Sequence, residues 1–91
     1  MSLTDTKIAV LGDGGWGTTL SLLLAYKAAD VLLWGAFPQY VEQMRRKKEN
    51  VKFLPGFKLP ARLKLGSDIG EAVSRDILVL AVPSQHLRKV L

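Results

Sequence analysis

Mostly apolar runs alternate with segments of helical periodicity along most of this chain. The runs Lys7–Leu11, Val31–Trp34 and Asp76–Val82 predict buried parallel strands, because a strand covered by helices on both faces needs few polar positions. A shorter run, Leu63–Gly66, predicts one more strand, which comes third along the chain. The alternation of strands with helical segments predicts the α/β class.

The first helix is predicted from Gly15 to about Lys27. Leu20, Leu23 and Leu24 follow the spacing of one helical face, and we expect these leucines to pack into the core.

The second helix is predicted from Pro38 to about Lys48, with Val41 and Met44 facing inward. Its last residues, Arg45–Lys48, are all cationic, which suits the negative end of a helix dipole. We expect this end to lie opposite the carboxyl edge of the sheet. No aromatic residue interleaves with the cations, so we predict no nucleic-acid binding.

Turn-forming residues indicate the remaining organisation. Asn50–Arg62 contains two prolines and a glycine, which predicts an ordered loop rather than a helix or strand. Asp68, followed three residues later by Glu71, predicts a capped short helix. Pro83 ends the last strand, and another helix is predicted over Gln85–Leu91.

The order of the elements predicts a doubly wound parallel sheet. Right-handed crossovers place the four strands in the spatial order 3-2-1-4, so the order reverses between strands one and four. Open α/β sheets bind ligands at such a reversal, outside the carboxyl ends of the strands. At that edge lie Gly12–Gly17 and Val82–Gln85.

A glycine cluster separates the first strand from the first helix. Gly12, Gly14 and Gly17 form the spacing G-x-G-x-x-G. In a Rossmann-type unit the first permits a sharp turn, the second lets a pyrophosphate reach the backbone, and the third lets helix and strand pack closely. The helix directs its N–H groups and positive dipole end at the phosphates. A tight turn without any ligand is the alternative, because this spacing alone is a weak signal.

Composition narrows the function classes. With 91 residues, 48% of them hydrophobic and 23% charged, the chain is one small folded domain at most. The net charge of +5 suits nucleic acid, anionic lipid or phosphorylated small molecules without choosing among them. There is no cysteine, so no disulfide or thiolate site can form, and no metal site is predicted.

Two further expectations concern location and boundaries. No apolar run approaches the ~20 residues of a membrane span, and the polar N-terminus predicts no signal peptide, so we expect a cytoplasmic protein. Residues 1–6 are expected to be a disordered or tag-like tail, and residues 7–91 the N-terminal part of a dinucleotide-binding domain.

Several motifs together resemble one family. They are Gly12-x-Gly14-x-Trp16-Gly17-Thr18, Leu33-Trp34, Glu49-Asn50-x-x-Phe53-Leu54-Pro55-Gly56 with Leu59-Pro60, and Ala81-Val82-Pro83-Ser84-Gln85. From about residue 7 to residue 91 the chain is similar to the cofactor-binding part of NAD(P)-dependent glycerol-3-phosphate dehydrogenases. The resemblance implies hydride transfer between NAD(P)H and dihydroxyacetone phosphate to give sn-glycerol 3-phosphate, a glycerophospholipid precursor.

The resemblance also implies where the cofactor binds. The implied contacts are Gly12, Gly14, Gly15, Trp16 and Gly17 in the glycine loop, Ala36 and Phe37 after the second strand, and Val82, Pro83 and Ser84 after the last. Catalytic residues and substrate-phosphate ligands of the family lie beyond Leu91, so none is assigned here. The half-sheet is therefore expected to be incomplete without further strands and a helical C-terminal domain, and the chain alone to be inactive. A phosphorylated substrate and a homodimer are expected of the full-length enzyme.

Three positions depart from the family pattern. Asp13 stands where alanine is usual, and we expect its carboxylate to face solvent or a backbone donor, away from a pyrophosphate. Gly15 replaces a small polar residue, which leaves only a backbone N–H for a phosphate. Ala36 stands where many members carry a basic residue for the 2′-phosphate of NADP, and no acid follows the second strand. The missing basic residue favours NAD over NADP.

Some interpretations stay open at the level of sequence. Trp16 either stacks on a ligand or fills the space between the first helix and a partner domain, whereas Trp34 is expected in the core. His86 is expected to be a partly exposed helix residue rather than an acid or base, because nothing nearby orients its ring. Alternative functions are another two-domain NAD(P)-dependent hydroxy-acid or hydroxyacyl dehydrogenase, and a non-catalytic nucleotide-binding module.

Overall fold

A computed structural model of the chain describes residues 6–27 and 30–81. The elements in chain order are β1 (Lys7–Leu11), α1 (Gly15–Tyr26), β2 (Asp30–Trp34), α2 (Pro38–Lys47), β3 (Glu49–Asn50), β4 (Leu54–Lys58), β5 (Lys64–Gly66), α3 (Ile69–Val73) and β6 (Ile77–Leu80). A 4-stranded parallel sheet has the order β5-β2-β1-β6, and β3 pairs with β4 in a separate antiparallel ribbon. The predicted order 3-2-1-4 and the Rossmann-type α/β fold are therefore confirmed. The helix predicted over Gln85–Leu91 lies outside the described residues.

The two central strands have both faces covered, as their continuous apolar sequences predicted. Side chains of alternate residues on β1 and β2 form two core clusters, one on each side of the sheet. Val41 and Met44 of α2 complete one cluster, and Ala72 of α3 completes the other. Trp34, at the end of β2, belongs to the second cluster and is buried as expected.

The face of α1 that turns to the core is lined mainly by small residues, although Leu24 of the predicted leucines packs, partly buried, against the core cluster. Its buried residues are small: Gly17, Thr18, Ser21 and Ala25. Leu23 is 56% exposed, so its predicted place in the core is wrong. Small side chains bring the helix axis close to the sheet, and the buried Ser21 hydroxyl is satisfied within the helix by donating to the Gly17 carbonyl at 2.8 Å. Leucine spacing could not reveal this choice, because packing distance is a tertiary property.

The segment Asn50–Arg62 is not the predicted loop, because it contains β4 and the end of β3, which together form a hairpin. Glu49 pairs with Lys58, and the Leu59 N–H donates to the Lys48 carbonyl at 2.7 Å. Pro55 lies on an edge strand of this ribbon, a position that needs no inward N–H donor.

The basic end of α2 is not remote from the carboxyl edge of the sheet, contrary to expectation. Arg45 Nη2 donates to the Leu65 carbonyl at 2.6 Å, next to the end of β5. Lys48 has φ 55°, a left-handed conformation that reverses the chain, so that Asn50 reaches back to the glycine loop.

Contacts at the other end of the sheet set the strand boundaries. Asp76 precedes β6 rather than beginning it, and its carboxylate accepts the Lys7 N–H at 3.0 Å. Thr6, placed in the tail by sequence, is buried, and its carbonyl accepts the Asp30 N–H at 3.3 Å.

Asp68 caps α3 as predicted, accepting the N–H groups of Gly70 and Glu71. No helix in the described ranges is long and apolar enough to cross a membrane.

Candidate dinucleotide-binding site

The chain turns off β1 at Gly12. Its φ of 121° lies in the left-handed region, where a side chain would be strained. Its N–H donates to the carbonyl of Trp34, the last residue of β2, at 2.9 Å. The sharp turn expected at this glycine is therefore present, and it is anchored to the neighbouring strand.

The other two glycines of the motif meet very different surroundings. A Cβ on Gly17 would lie 1.9 Å from the Gly12 carbonyl oxygen, so the start of α1 packs directly on the turn. A Cβ on Gly14 would meet nothing within 4 Å. Gly17 is thus required by internal packing, whereas the absence of a side chain at Gly14 leaves open space over the backbone, as an approaching pyrophosphate would need.

Helix α1 begins without a side chain of its own to satisfy its first N–H groups. Gly14 is the N-cap and makes no side-chain capping bond, and the first turn contains no acidic residue. In the described part of the chain, the Thr18 N–H is the first in this helix with a backbone acceptor, the Gly14 carbonyl at 3.0 Å. The N-terminal N–H groups and the positive dipole end therefore suit an anion.

A buried asparagine holds the loop in place. Asn50 is fully buried, and its Nδ2 donates to the Asp13 carbonyl at 2.6 Å and to Thr18 Oγ1 at 2.7 Å. Thr18 Oγ1 also donates to the Asp13 carbonyl, at 3.2 Å. Sequence reasoning placed Asn50 in a motif but gave it no role. The only available signal was a polar residue within that motif, and its partners are distant in sequence.

The hairpin and α2 in turn hold the asparagine. Its Oδ1 accepts from the Tyr40 hydroxyl and from the Phe53 N–H, the latter at 3.3 Å. The Tyr40 oxygen accepts the Lys52 N–H at 3.0 Å. A Cβ on Gly15 would lie 3.0 Å from the Phe53 carbonyl oxygen, so the hairpin sits tightly against the loop. This proximity is a steric reason for glycine at position 15, where the family usually has a small polar residue.

The half-buried carboxylate of Asp13 accepts a hydrogen bond from its own backbone N–H, in line with the expected backbone donor, but it does not turn wholly to solvent. Its Oδ2 is buried and has no hydrogen-bond partner among the described residues. This oxygen lies against Gly35, where a Cβ would be only 2.4 Å away. Burial raises the pKa of Asp13, and a hydrogen bond from its own backbone N–H and the charge of Lys52 offset part of that rise.

The aromatic residues near the loop are open to the surroundings. Trp16 is 68% exposed and Phe37 is 69% exposed, and Ala36 beside it is also exposed. Trp16 therefore does not fill a space between α1 and another described element. The Gly35 N–H donates to the Gly66 carbonyl at 2.9 Å, which fixes where this segment leaves β2.

The remaining predicted contacts cannot be placed. Val82, Pro83 and Ser84, like His86, lie outside the described residues. The Ala81 N–H donates to the Leu11 carbonyl at 2.8 Å, which brings the end of β6 beside the start of the glycine loop. Within residues 6–27 and 30–81, no three acidic or histidine side chains gather where they could hold a metal ion.

Comparison with known proteins agrees with this geometry. A family model described as the N-terminus of NAD-dependent glycerol-3-phosphate dehydrogenase matches residues 7–91. A protein of Citrifermentans bemidjiense named glycerol-3-phosphate dehydrogenase [NAD(P)+] is 50% identical over 86 residues, which cover 93% of this chain and 26% of the relative. Its namesake from Chlorobium phaeobacteroides strain BS1 is 48% identical, with the same coverage.

A solved structure shows the same fold. The crystal structure of glycerol-3-phosphate dehydrogenase from Coxiella burnetii matches with a TM-score of 0.87 and 33% sequence identity, over 96% of this chain and 27% of that one. The chain thus spans about a quarter of the length of the relatives it matches. Because the family model covers it from residue 7 to residue 91, the chain belongs to the family formed by the N-terminal region of NAD-dependent glycerol-3-phosphate dehydrogenases.

Proposed function

We propose that residues 7–91 are the N-terminal part of the dinucleotide-binding domain of an enzyme that transfers hydride between NAD(P)H and dihydroxyacetone phosphate, giving sn-glycerol 3-phosphate. The observation that carries the proposal is the open backbone at Gly14, between the Gly12 turn and the uncapped start of α1. Family membership over the same residues supports the identity of the reaction.

The residues present fit a dinucleotide. The backbone from Gly12 to Gly17 would hold the pyrophosphate, because the space over Gly14 is open and the first N–H groups of α1 have no side-chain cap. Trp16 would lie beside it, with Ala36 and Phe37 at the end of β2 on the adenosine side. Val82, Pro83 and Ser84, which follow β6 in the sequence, are proposed as further cofactor contacts.

The bound nicotinamide would supply the hydride chemistry, and this chain would bind and orient it. The chain covers about a quarter of the relatives, so we place the catalytic and substrate-phosphate residues in the remainder of the full-length protein. Residues 1–91 by themselves are expected to be inactive.

The proposal extends to the location, the oligomeric state and the substrate of the full-length enzyme. We place the full-length enzyme in the cytoplasm as a homodimer that acts on a phosphorylated small molecule and supplies glycerophospholipid synthesis. Ile77, Leu78 and Leu80 of β6 are between 42% and 47% exposed, and such an apolar strand supports coverage by further protein, from the same chain or a partner.

The test is substrate-dependent oxidation of NADH by the complete natural protein that contains this chain. We expect NADH absorbance to fall on addition of dihydroxyacetone phosphate and to stay constant with a 2-oxo acid or a 3-oxoacyl thioester. Oxidation driven by either of the latter would replace the proposal with another hydroxy-acid or hydroxyacyl dehydrogenase. Calorimetric binding of NADH without NADH oxidation by any of these substrates would indicate a non-catalytic nucleotide-binding module.

A further inference from the structure

The carboxylate of Asp13 occupies the space beside the end of β2, although Asp13 belongs to the loop after β1. A Cβ placed on Gly35, the residue after β2, would lie 2.4 Å from Oδ2 and 2.9 Å from Cγ of Asp13. The carboxyl group is therefore packed on the backbone of Gly35. Any larger residue at position 35 would have to displace it.

This position matters because of a general feature of dinucleotide sites. An acidic side chain at the end of the second strand commonly accepts hydrogen bonds from the hydroxyl groups of the adenosine ribose. The corresponding segment of this chain, Gly35-Ala36-Phe37, contains no acid. Asp13 brings a carboxylate to the same end of the same strand from the neighbouring loop.

The aspartate is held there by its backbone, and its carboxylate accepts a hydrogen bond from its own N–H, while Oδ2 has no donor among the described residues. Its carbonyl accepts from Asn50 Nδ2 at 2.6 Å and from Thr18 Oγ1 at 3.2 Å, which fixes its backbone and leaves its side chain free to rotate. Its Oδ2 is buried without a hydrogen-bond donor in the described part of the chain. Lys52 is a nearby cation whose charge acts on Asp13, but the two form no salt bridge among the described residues. A buried carboxylate oxygen without a donor is unfavourable, so rotation of this half-buried carboxyl group toward a ligand hydroxyl would be favoured.

We propose that Asp13 accepts hydrogen bonds from the adenosine ribose hydroxyls and, through its negative charge, excludes a 2′-phosphate, making this domain selective for NAD(H) over NADP(H). The inference rests on the proposed cofactor site and deepens it. It gives cofactor choice a direct cause in the glycine loop, in addition to the missing basic residue at Ala36. Like charges in close contact at a partly buried site repel strongly, so a 2′-phosphate beside Asp13 would be expelled or would displace the side chain.

The experiment is titration calorimetry of the complete natural protein with NADH and with NADPH, without substrate. For the unchanged protein we expect NADH to bind at least about tenfold more tightly than NADPH. Asp13→Ala, which restores the residue usual in the family, should weaken NADH binding about tenfold, because a charge-assisted hydrogen bond is lost. Asp13→Asn keeps the shape and removes the charge, so it should raise NADPH affinity about tenfold while changing NADH affinity less. Glu42→Gln, which removes one negative charge from the exposed side of α2, is the matched control and should leave the ratio unchanged.

The outcomes separate the two proposals. NADPH binding as tight as NADH in the unchanged protein, or an unchanged ratio in folded Asp13→Asn, would overturn the role of Asp13, while NADH binding would still support the cofactor site. Binding of neither nucleotide would overturn both. If Asp13→Ala does not melt cooperatively, the near-isosteric Asp13→Asn alone decides, since its melting curve should match that of the unchanged protein.

Discussion

Asn50 Nδ2 lies 2.7 Å from Thr18 Oγ1, and this hydrogen bond joins the β3–β4 hairpin to the first turn of α1 across 32 positions of sequence. Both side chains are fully buried. The same amide holds the carbonyl of Asp13. The conformation of the glycine loop therefore depends on a residue that is not itself among the predicted cofactor contacts.

Replacing Asn50 with alanine should destabilise the protein. The Thr18 hydroxyl and the Asp13 carbonyl would lose a buried partner, which lowers the free energy of unfolding by about 2 kcal/mol. Thr18→Val removes one hydroxyl group and should cost about 1 kcal/mol. The measurement is the urea midpoint at constant m-value. Thr19→Val, which loses only a bond to its own helix, is the control, and an Asn50→Ala midpoint no lower than this control would contradict the structure.

Two alanine substitutions in the glycine loop should separate folding from binding. Gly17→Ala places a Cβ 1.9 Å from the Gly12 carbonyl oxygen, so we expect a loss of about 3 kcal/mol in stability. Gly14→Ala meets open space at an extended backbone of φ −68°, so stability should change by less than about 0.5 kcal/mol. NADH affinity of Gly14→Ala should nevertheless fall, because the methyl group occupies the path of the pyrophosphate.

Denaturation and calorimetry on the same protein preparations test this pair. A normally stable Gly17→Ala would mean that α1 does not pack on the turn as described. Unchanged NADH affinity in Gly14→Ala would place the pyrophosphate elsewhere.

The ion pair between Asp30 and Arg75 should make the free energy of unfolding depend on pH in the acidic range. Arg75 Nη1 donates to Asp30 Oδ1 at 2.8 Å and to its carbonyl at 3.0 Å, and Lys64 Nζ donates to Oδ2 at 3.1 Å. Hydrogen bonding from Arg75, then from Lys64, lowers the pKa of Asp30 despite some desolvation. A lowered folded-state pKa means that the contribution is fully present above the ordinary value of 3.8 and is lost as pH falls below it toward the folded value.

The comparison is between the unchanged protein and Asp30→Asn in urea at a series of pH values. The difference in unfolding free energy, about 1 kcal/mol, should be constant near neutral pH and shrink below about pH 4. Glu42→Gln breaks an exposed pair with Arg45 and should cost no more than about 0.3 kcal/mol. A difference for Asp30→Asn that grows on acidification would contradict the assigned sign.

Lys48→Gly should stabilise the protein. Lys48 ends α2 with φ 55°, and a side chain in this left-handed conformation is strained, whereas glycine is not. The strain energy removed by glycine exceeds the cost of its added conformational entropy in the unfolded state. We therefore expect the free energy of unfolding to rise by about 0.5 kcal/mol. Lys47→Gly, one residue earlier and helical, should instead lose about 0.5 to 1 kcal/mol. Thermal melting measures the stability of both variants. A loss of stability in Lys48→Gly as well as in Lys47→Gly would show that the left-handed cap is absent.

The sequence predicted those features of the fold that depend on residues close together in the chain. Apolar runs predict the strands β1, β2, β5 and β6, and glycine spacing predicts the turn at Gly12, because both signals lie within short segments. The order of the strands follows from the order of the elements in the chain and from general handedness rules. The cap at Asp68 was equally local. The hairpin was missed because prolines and glycines in Asn50–Arg62 resemble loop punctuation, and the pairing of Glu49 with Lys58 is decided by partners nine positions apart.

By itself, the sequence determined that this chain forms a parallel α/β sheet with a glycine turn at the carboxyl end of its first strand, because backbone freedom and apolar patterning act between near neighbours. Only the tertiary structure decided which face of α1 is buried, that Asn50 secures the loop, and that Asp13 lies against Gly35. These are contacts between distant segments, and their energies depend on the distance between packed elements and on the partners left for buried polar atoms.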